Sequence, residues 1–255
     1  ERGRGLDTAA PNIDAKLTGA DGKVELSAKA SLGRTPKLTF RLAPLQFDPQ
    51  GLQPSAISPQ ASGLKNVVGE IKAEGSMTLG DKPSGRVDLD LTGIGMDAGP
   101  GRLSALTGRI SFDLANAPAT FPNQTLGGLM EVGGVLAGPM DLTYAIRPDG
   151  GLDIASLNIP VLNGSLSLAN TPIPPDANRI ATEINVNSVD LGSILKLVDL
   201  EGLTGQGTLS GVLPVRYENG AVAIAEGRLQ SDGPGRISYR GGALDERAIT
   251  TAGPR

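Results

Sequence analysis

The side chains of this chain that could act as acids or bases are mainly carboxylates, because the sequence contains no His and no Cys. It therefore offers no Ser-His or Cys-His nucleophile system, no thiolate, no disulfide and no zinc site of the usual kind. Asp88 with Asp90, and Asp149 with Asp153, are close enough in sequence to pair as general acid and base. Both pairs lie among alternating apolar and polar residues, so solvated strand faces are the favoured interpretation.

A glycine-rich stretch, Gly205-Gln-Gly207 followed by Gly211, is superficially like a dinucleotide-binding loop. The spacing of the glycines differs from that motif, and alternating strands flank them instead of a strand and a helix. Tight turns or bulges explain these glycines better. The sequence therefore predicts no catalytic residue, no metal site and no cofactor, and the chain is not expected to be an enzyme.

The composition excludes further classes of protein. Only 3% of the residues are aromatic and Trp is absent, so a core has to be built from Leu, Ile, Val and Ala. The net charge is -4, with 23 basic and 27 acidic residues, and the basic residues are scattered singly. A nucleic-acid partner is not expected, because such proteins present a basic stripe and usually stacking aromatics.

Period-two alternation is the dominant pattern along the chain, and it predicts half-buried β-strands. The 36 Gly and 19 Pro supply turns between them. The clearest apolar series are Val24 to Ala30, Leu38 to Leu42, Ile71 to Leu79, Val87 to Leu91, Ile110 to Leu114 and Leu142 to Ile146.

Two stretches depart from this alternation. Residues 120–138 contain Gly127-Gly128 and Gly133-Gly134 and are expected to form a loop or helical interruption. Residues 190–198 are the best helix candidate, with Asp190 or Ser193 as the cap. We divide the chain into an N-terminal strand segment 1–119, the interruption 120–138, middle strands 139–175, a C-terminal segment 176–242 and a tail 243–255.

Two all-β architectures fit this pattern. A closed sandwich or barrel hides its apolar face under a second sheet, whereas a sheet that curls into a trough leaves an apolar stripe facing its own hollow. Periodicity alone does not separate them. The absence of a central aromatic cluster and the continuous succession of strands favour an elongated, twisted antiparallel sheet that curls into a β-groove, with one or two short helices.

The segment from Ile184 to Tyr239 resembles a known family. It has a strand ending Asn187-Ser-Val-Asp-Leu191, a short helix, Leu203-Thr-Gly-Gln-Gly-Thr-Leu-Ser-Gly211, Leu213-Pro-Val215 and Pro234-Gly-Arg-Ile-Ser-Tyr239. This order is similar to the C-terminal region of the YdbH family, bacterial envelope proteins related to the AsmA-like and TamB-like proteins. The resemblance rests on about 55 residues, and the strands upstream of them share only the general alternation of apolar and polar residues.

The resemblance implies a hydrophobic groove that binds and conducts phospholipids between the inner and outer membranes. It implies phospholipid acyl chains as the partner, with other envelope proteins at the outer membrane. It also implies a periplasmic location and a full-length protein anchored in the inner membrane. Family members are longer and begin with a membrane-spanning helix that this sequence lacks, so we expect a fragment of a larger repeating β-groove protein, with its anchor elsewhere.

Within the C-terminal segment, the apolar residues of the strands are the expected lipid contacts, and the glycines are the expected turns. The groove candidates are Ile184, Val186, Leu209, Val222, Ile224 and Leu229. The structural turns are Gly205, Gly207, Gly211, Gly220, Gly227 and Gly235. Two alternatives stay open: a carbohydrate-binding β-solenoid, and a structural or docking module of the envelope with Tyr144, Tyr217 and Tyr239 as its aromatic anchors.

Overall fold

The computed structural model describes residues 11–20, 22–98, 101–176, 179–198, 202–218 and 221–240, which are mostly β-strand. The first eleven strands are β1 Asn12–Gly19, β2 Val24–Ser31, β3 Lys37–Phe47, β4 Lys65–Thr78, β5 Ser84–Ala98, β6 Gly101–Asp113, β7 Gln124–Val132, β8 Val135–Ile146, β9 Leu152–Val161, β10 Gly164–Ile173 and β11 Arg179–Asp190. The helix α1 Leu191–Val198 follows, and then β12 Leu203–Gln206, β13 Thr208–Glu218, β14 Ala221–Ile224, β15 Arg228–Ser231 and β16 Arg236–Tyr239. Two short 3₁₀ helices, Pro54–Ala56 and Pro59–Gly63, join β3 to β4.

One antiparallel sheet of fourteen strands contains most of these elements. Strands β1 to β11 follow one another in chain order, and β13 and β14 complete the path, with β15 also pairing with β13. The sheet is open, since no pairing between described strands joins β1 to β14. A separate two-stranded sheet is formed by β12 and β16. The prediction of a large antiparallel sheet consistent with a β-groove is confirmed.

The described residues divide into two compact units. The first extends to Ile159 and includes Ala169–Ile180; the second comprises Pro160–Leu168 and the chain from Ala181 onward. The first unit contains nearly all of the buried hydrophobic core, whereas Val186 and Val189 are the buried hydrophobic residues of the second.

A row of β-bulges crosses the first unit. Every strand pair from β3–β4 to β7–β8 has a register shift. The shifts of neighbouring pairs lie side by side: Ile71 pairs with both Leu45 and Leu91, and Leu91 pairs with Gly108, and all four residues border a shift. We call residues 42–45, 65–70, 91–96, 104–107 and 128–130 the bulge row. Since a bulge bends its strand, aligned bulges are expected to bend this part of the sheet, from β3 to β8, along one line.

Positive backbone φ angles occur where the bulge row requires them. Asn66 and Ala105 have φ values of 53° and 54°, and Gly69 and Gly93 have values of 105° and 60°. Such angles are costly for a residue with a Cβ, and Asn tolerates them better than most. The bulge row is therefore a conformation specified at several positions of the sequence.

The buried core lies along the bulge row. Its members are Leu45, Phe47, Leu52, Val67, Ile94, Leu106 and Met140. Half-buried residues on both sides of the row pack against it, including Ile71 on one side and Leu103 on the other, as do Leu91 and Met96 within the row.

The prediction of a loop or helical interruption at 120–138 is wrong for most of these residues. Strand β7 occupies Gln124–Val132, and Gly127 and Gly128 lie inside it. Gly133 and Gly134, with φ values of 58° and 79°, form the two-residue turn to β8. The glycine pairs look alike in sequence, but Gly128 is needed for space, because a Cβ there would lie 2.5 Å from Leu106 Cδ2.

The predicted helix is confirmed as α1. Its cap is Asp190, whose Oδ1 accepts hydrogen bonds from the Ser193 backbone N–H at 2.8 Å and the Ser193 hydroxyl at 2.7 Å. These hydrogen bonds lower the pKa of Asp190. The helix packs closely on β12, because a Cβ on Gly205 would lie 2.7 Å from Leu195 Cδ1.

Candidate functional site

The sheet of the first unit has one apolar face, established by strand register. Paired residues of neighbouring antiparallel strands lie on the same face, so a continuous series of pairs defines a common surface. From β2 to β9 the series runs through Leu26–Leu42, Leu38–Met77, Ile71–Leu91, Leu89–Ile110, Val87–Phe112, Leu126–Leu142 and Leu142–Leu157. Ile13 and Leu17 extend it onto β1. We call this surface the apolar face.

The apolar face is only partly covered. Away from the bulge row, its large side chains are half-buried, for example Leu38, Met77, Leu89 and Ile110. On β1, Ile13 and Leu17 are 51% and 61% exposed. A second sheet packed against this surface would bury such residues almost completely. The face is therefore accessible to an apolar ligand.

The opposite surface, which we call the polar face, carries paired charges. Arg41 Nη2 lies 3.1 Å from Glu74 Oε2, and the Arg109 guanidinium donates to both carboxylate oxygens of Asp90 at 2.6 and 2.9 Å. A hollow of about 510 Å³ lies among these side chains, between β2 and β5. Exposed ion pairs of this kind contribute little stability, but they keep this face in water.

The two carboxylate pairs considered as acid and base are both engaged in ion pairs. Arg86 Nε lies 2.7 Å from Asp88 Oδ1, while Asp90 pairs with Arg109. Arg147 contacts both Asp149 and Asp153. Each carboxylate is thus held by a guanidinium, which fits the interpretation as solvated strand residues. No group of three or more acidic, His or Cys side chains that could hold a metal occurs among the described residues.

Asp88 is the most enclosed of these carboxylates. Burial by itself raises the pKa of its carboxyl, but the hydrogen bond from Ser111 and the neighbouring Arg86 more than offset this, so the pKa lies below its usual value of 3.8. Arg86 also donates to the Ser111 hydroxyl at 2.7 Å and lies 5.3 Å from the centre of the Phe121 ring. Asp88 therefore ties β5 to β6 across the polar face.

We expect Asp88 to contribute an acid-dependent part of the stability. Because its pKa is lowered by folding, its contribution is present above the pKa of the unfolded chain, near 3.9, and is lost as the pH falls through the folded value. Urea unfolding between pH 6 and pH 2 should show a shallower acid limb for Asp88→Asn than for the native chain. Identical limbs would show that Asp88 ionises without coupling to folding.

The groove candidates predicted from sequence lie in the second unit. Ile184 and Val186 are on β11, where Val186 is buried and pairs with Leu166. Leu209 is half-buried on β13, whereas Ile224 and Leu229 are 61% and 40% exposed. Val222 pairs with Tyr217, and its side chain is outside the described part of the structure. These six residues remain predictions.

Several residues of the apolar face were missed as candidates. The signal was in the sequence, since the alternation at Leu38 to Leu42 and Ile71 to Leu91 already placed these residues on one side of their strands. Alternation does not show whether a second layer covers that side, which is the property that distinguishes a groove from a core.

The predicted turn glycines serve different purposes. Gly207 lies between β12 and β13 with a φ of 113°. Gly205 and Gly211 lie inside strands, where a Cβ on either would approach a neighbour too closely, and Gly227 and Gly235 immediately precede β15 and β16. Gly220 is outside the described residues.

The aromatic residues offered as docking anchors are not equivalent. Tyr144 is only 4% exposed, and burial raises its pKa to about 12. It therefore cannot serve as an exposed anchor, which contradicts that part of the docking alternative. Tyr217 is half-buried, while Tyr239 is 52% exposed.

Comparison with known proteins identifies the family. The family model described as YdbH-like, intermembrane phospholipid transport protein YdbH, matches residues 5–253. The match is much longer than the 55-residue segment on which the resemblance was based. No curated protein and no solved structure matches the chain significantly. Among the described helices, none has the length and apolar character needed to cross a bilayer. The chain belongs to the YdbH-like family of intermembrane phospholipid transport proteins.

Proposed function

We propose that the apolar face binds phospholipid acyl chains and lets them pass from strand to strand, as part of a path between the inner and outer membranes of the bacterial envelope. The observation that carries this proposal is an in-register apolar surface across β1 to β9, exposed on β1 and half-buried at residues such as Leu38 and Ile110, backed by a charged opposite face. Membership of a phospholipid transport family supports the same ligand.

The energetics favour such a surface. Moving an acyl chain of about 16 methylenes into water costs on the order of 13 kcal/mol, at roughly 0.8 kcal/mol per methylene. Aliphatic side chains remove much of that cost wherever the chain lies. Because the nine strands offer similar contacts at steps of about 4.8 Å, no single position binds the tail so tightly that it stops there.

The direct test is to purify the chain from bacterial cells and to search for bound phospholipid by native mass spectrometry. A photocrosslinking residue at Leu38, on the apolar face, should capture phospholipid. The same residue at the neighbouring Thr39, on the polar face, should not. Absence of phospholipid from the purified chain, or equal crosslinking at both positions, would contradict the proposal. The partners at the outer membrane and the anchor in the inner membrane stay predictions.

A further inference from the structure

Two hairpin ends at the edge of the apolar face are both apolar and exposed. Leu32 follows β2 and Leu79 follows β4, and they are 46% and 40% exposed. By alternation both continue the apolar face, two residues beyond Ala30 and Met77. The Leu79 N–H donates to the Pro36 carbonyl at 2.8 Å, which holds the two hairpin ends together. We call residues 32–37 and 79–83 the lip.

The lip carries an excess of positive charge. Arg34, Lys37 and Lys82 are exposed, and none of them forms an ion pair with a described residue. Asp81 is the only carboxylate in the lip, so its net charge is 3 minus 1, or +2, in a chain whose net charge is -4. On the polar face, by contrast, cations such as Arg41 and Arg109 are paired with carboxylates.

The apolar face is long enough along β4 to hold a lipid tail beside the charged lip. The eight residue steps from Ile71 to Leu79 on β4 span about 26 Å at 3.3 Å per residue, compared with about 15 Å for the tail region of one bilayer leaflet. At the Ile71 end, the apolar face adjoins the buried core, against which Ile71 packs. A tail whose headgroup lies at the lip therefore fits along the strands with its full length on the apolar face.

We propose that Arg34 and Lys82 form a headgroup site that binds the phosphate of an anionic phospholipid while its tail lies on the apolar face. This inference rests on the proposed function and specifies its ligand. Guanidinium and ammonium groups make charge-assisted hydrogen bonds to phosphate oxygens. Because the lip has a net positive charge, a phospholipid with a net charge of -1 binds better than a zwitterionic one.

The test compares two water-soluble lipids that have the same tails, dioctanoyl phosphatidylglycerol and dioctanoyl phosphatidylethanolamine. The full chain should bind the glycerol lipid more tightly. Arg34→Gln and Lys82→Gln should each weaken its binding about fivefold, as expected for the loss of one cation beside an anionic lipid. Binding of the ethanolamine lipid should weaken less, because its ammonium group offsets the charge of the same phosphate. Lys23→Gln, an exposed lysine in the turn between β1 and β2, is the matched control and should change neither affinity.

Each of the other possible outcomes contradicts the headgroup site, the proposed function, or both. Equal affinity for both lipids, or no effect of the two lip substitutions, contradicts the headgroup site and leaves the proposed function standing. If neither lipid binds, the proposed function fails and the headgroup site with it. If inorganic phosphate competes with the glycerol lipid as well as the lipid itself does, the lip is a general anion site. Binding to phosphatidylglycerol vesicles without uptake of the soluble lipid would instead assign the lip to membrane docking.

Discussion

Met77→Glu is expected to lower phospholipid binding roughly 100-fold, which corresponds to the 2.5–3.5 kcal/mol cost of a charge in a hydrocarbon environment. Met77 lies on the apolar face of β4 and pairs with Leu38 and Gly85 on the neighbouring strands. A carboxylate there would contact the acyl chain in place of a thioether, and it would interrupt the apolar path across the sheet. Photocrosslinking and native mass spectrometry measure the loss directly.

Ser76→Glu is the matched control, because Ser76 precedes Met77 on the same strand and lies on the polar face. It pairs with Thr39 and Arg86, so an added carboxylate finds a cation and water. Phospholipid binding should stay within about twofold of the native chain, as is usual for surface substitutions. Equal losses in both variants would mean that lipid does not distinguish the two faces. No loss in either would place the acyl chain elsewhere on the molecule.

The strands and their faces follow from local pattern, which is why so much of the sheet could be predicted. Alternation such as Leu38-Thr39-Phe40-Arg41-Leu42 specifies both an extended backbone and the side chain that faces each way. The helix α1 was equally predictable from Asp190 and the apolar residues that follow it. Chain order then gives the topology, because adjacent strands joined by short turns pair with each other.

The bulge row could not be predicted, because a bulge depends on its partner strand. Ala105 has a φ of 54° although Ala rarely adopts that region, and nothing in Ser104-Ala105-Leu106 indicates it. Gly128 was mistaken for a loop residue for the same reason. The need for a glycine at this position is apparent only once strand pairing places Leu106 of β6 beside it. The bulges therefore depend on pairs of residues that are distant in sequence.

The candidate site shows the same limit. The resemblance was strongest in the C-terminal segment, so lipid contacts were predicted at residues such as Val186 and Ile224. In the structure Val186 is buried while Ile224 is 61% exposed, and a longer in-register apolar surface lies upstream, in β1 to β9. Sequence pattern identifies apolar faces well, but only the assembled sheet shows how far each one is covered.

Leu106 and Gly128 are expected to show strong energetic coupling. Leu106 is 6% exposed and lies over Gly128 on the paired strand, at the bulge row. Leu106→Ala should lower the free energy of unfolding by about 2–5 kcal/mol, because it removes packed methyl groups and leaves a cavity that a glycine cannot fill. Gly128→Ala should lower it by about 1–3 kcal/mol, because the new Cβ would lie 2.5 Å from Leu106 Cδ2.

The double variant separates steric fit from general destabilisation. With Leu106 shortened, the methyl group added by Gly128→Ala enters the vacated space, so the combined loss should be smaller than the sum of the two single losses by about 1 kcal/mol or more. Gly127→Ala is the control, since its Cβ would meet only the Met140 carbonyl at 3.6 Å, and its effect should add to that of Leu106→Ala. Urea unfolding followed by circular dichroism measures the native chain and each single and double variant. Simple additivity for Leu106 and Gly128 would show that the sheet relaxes around both, and that the close contact of β6 with β7 does not fix the bend of the apolar face.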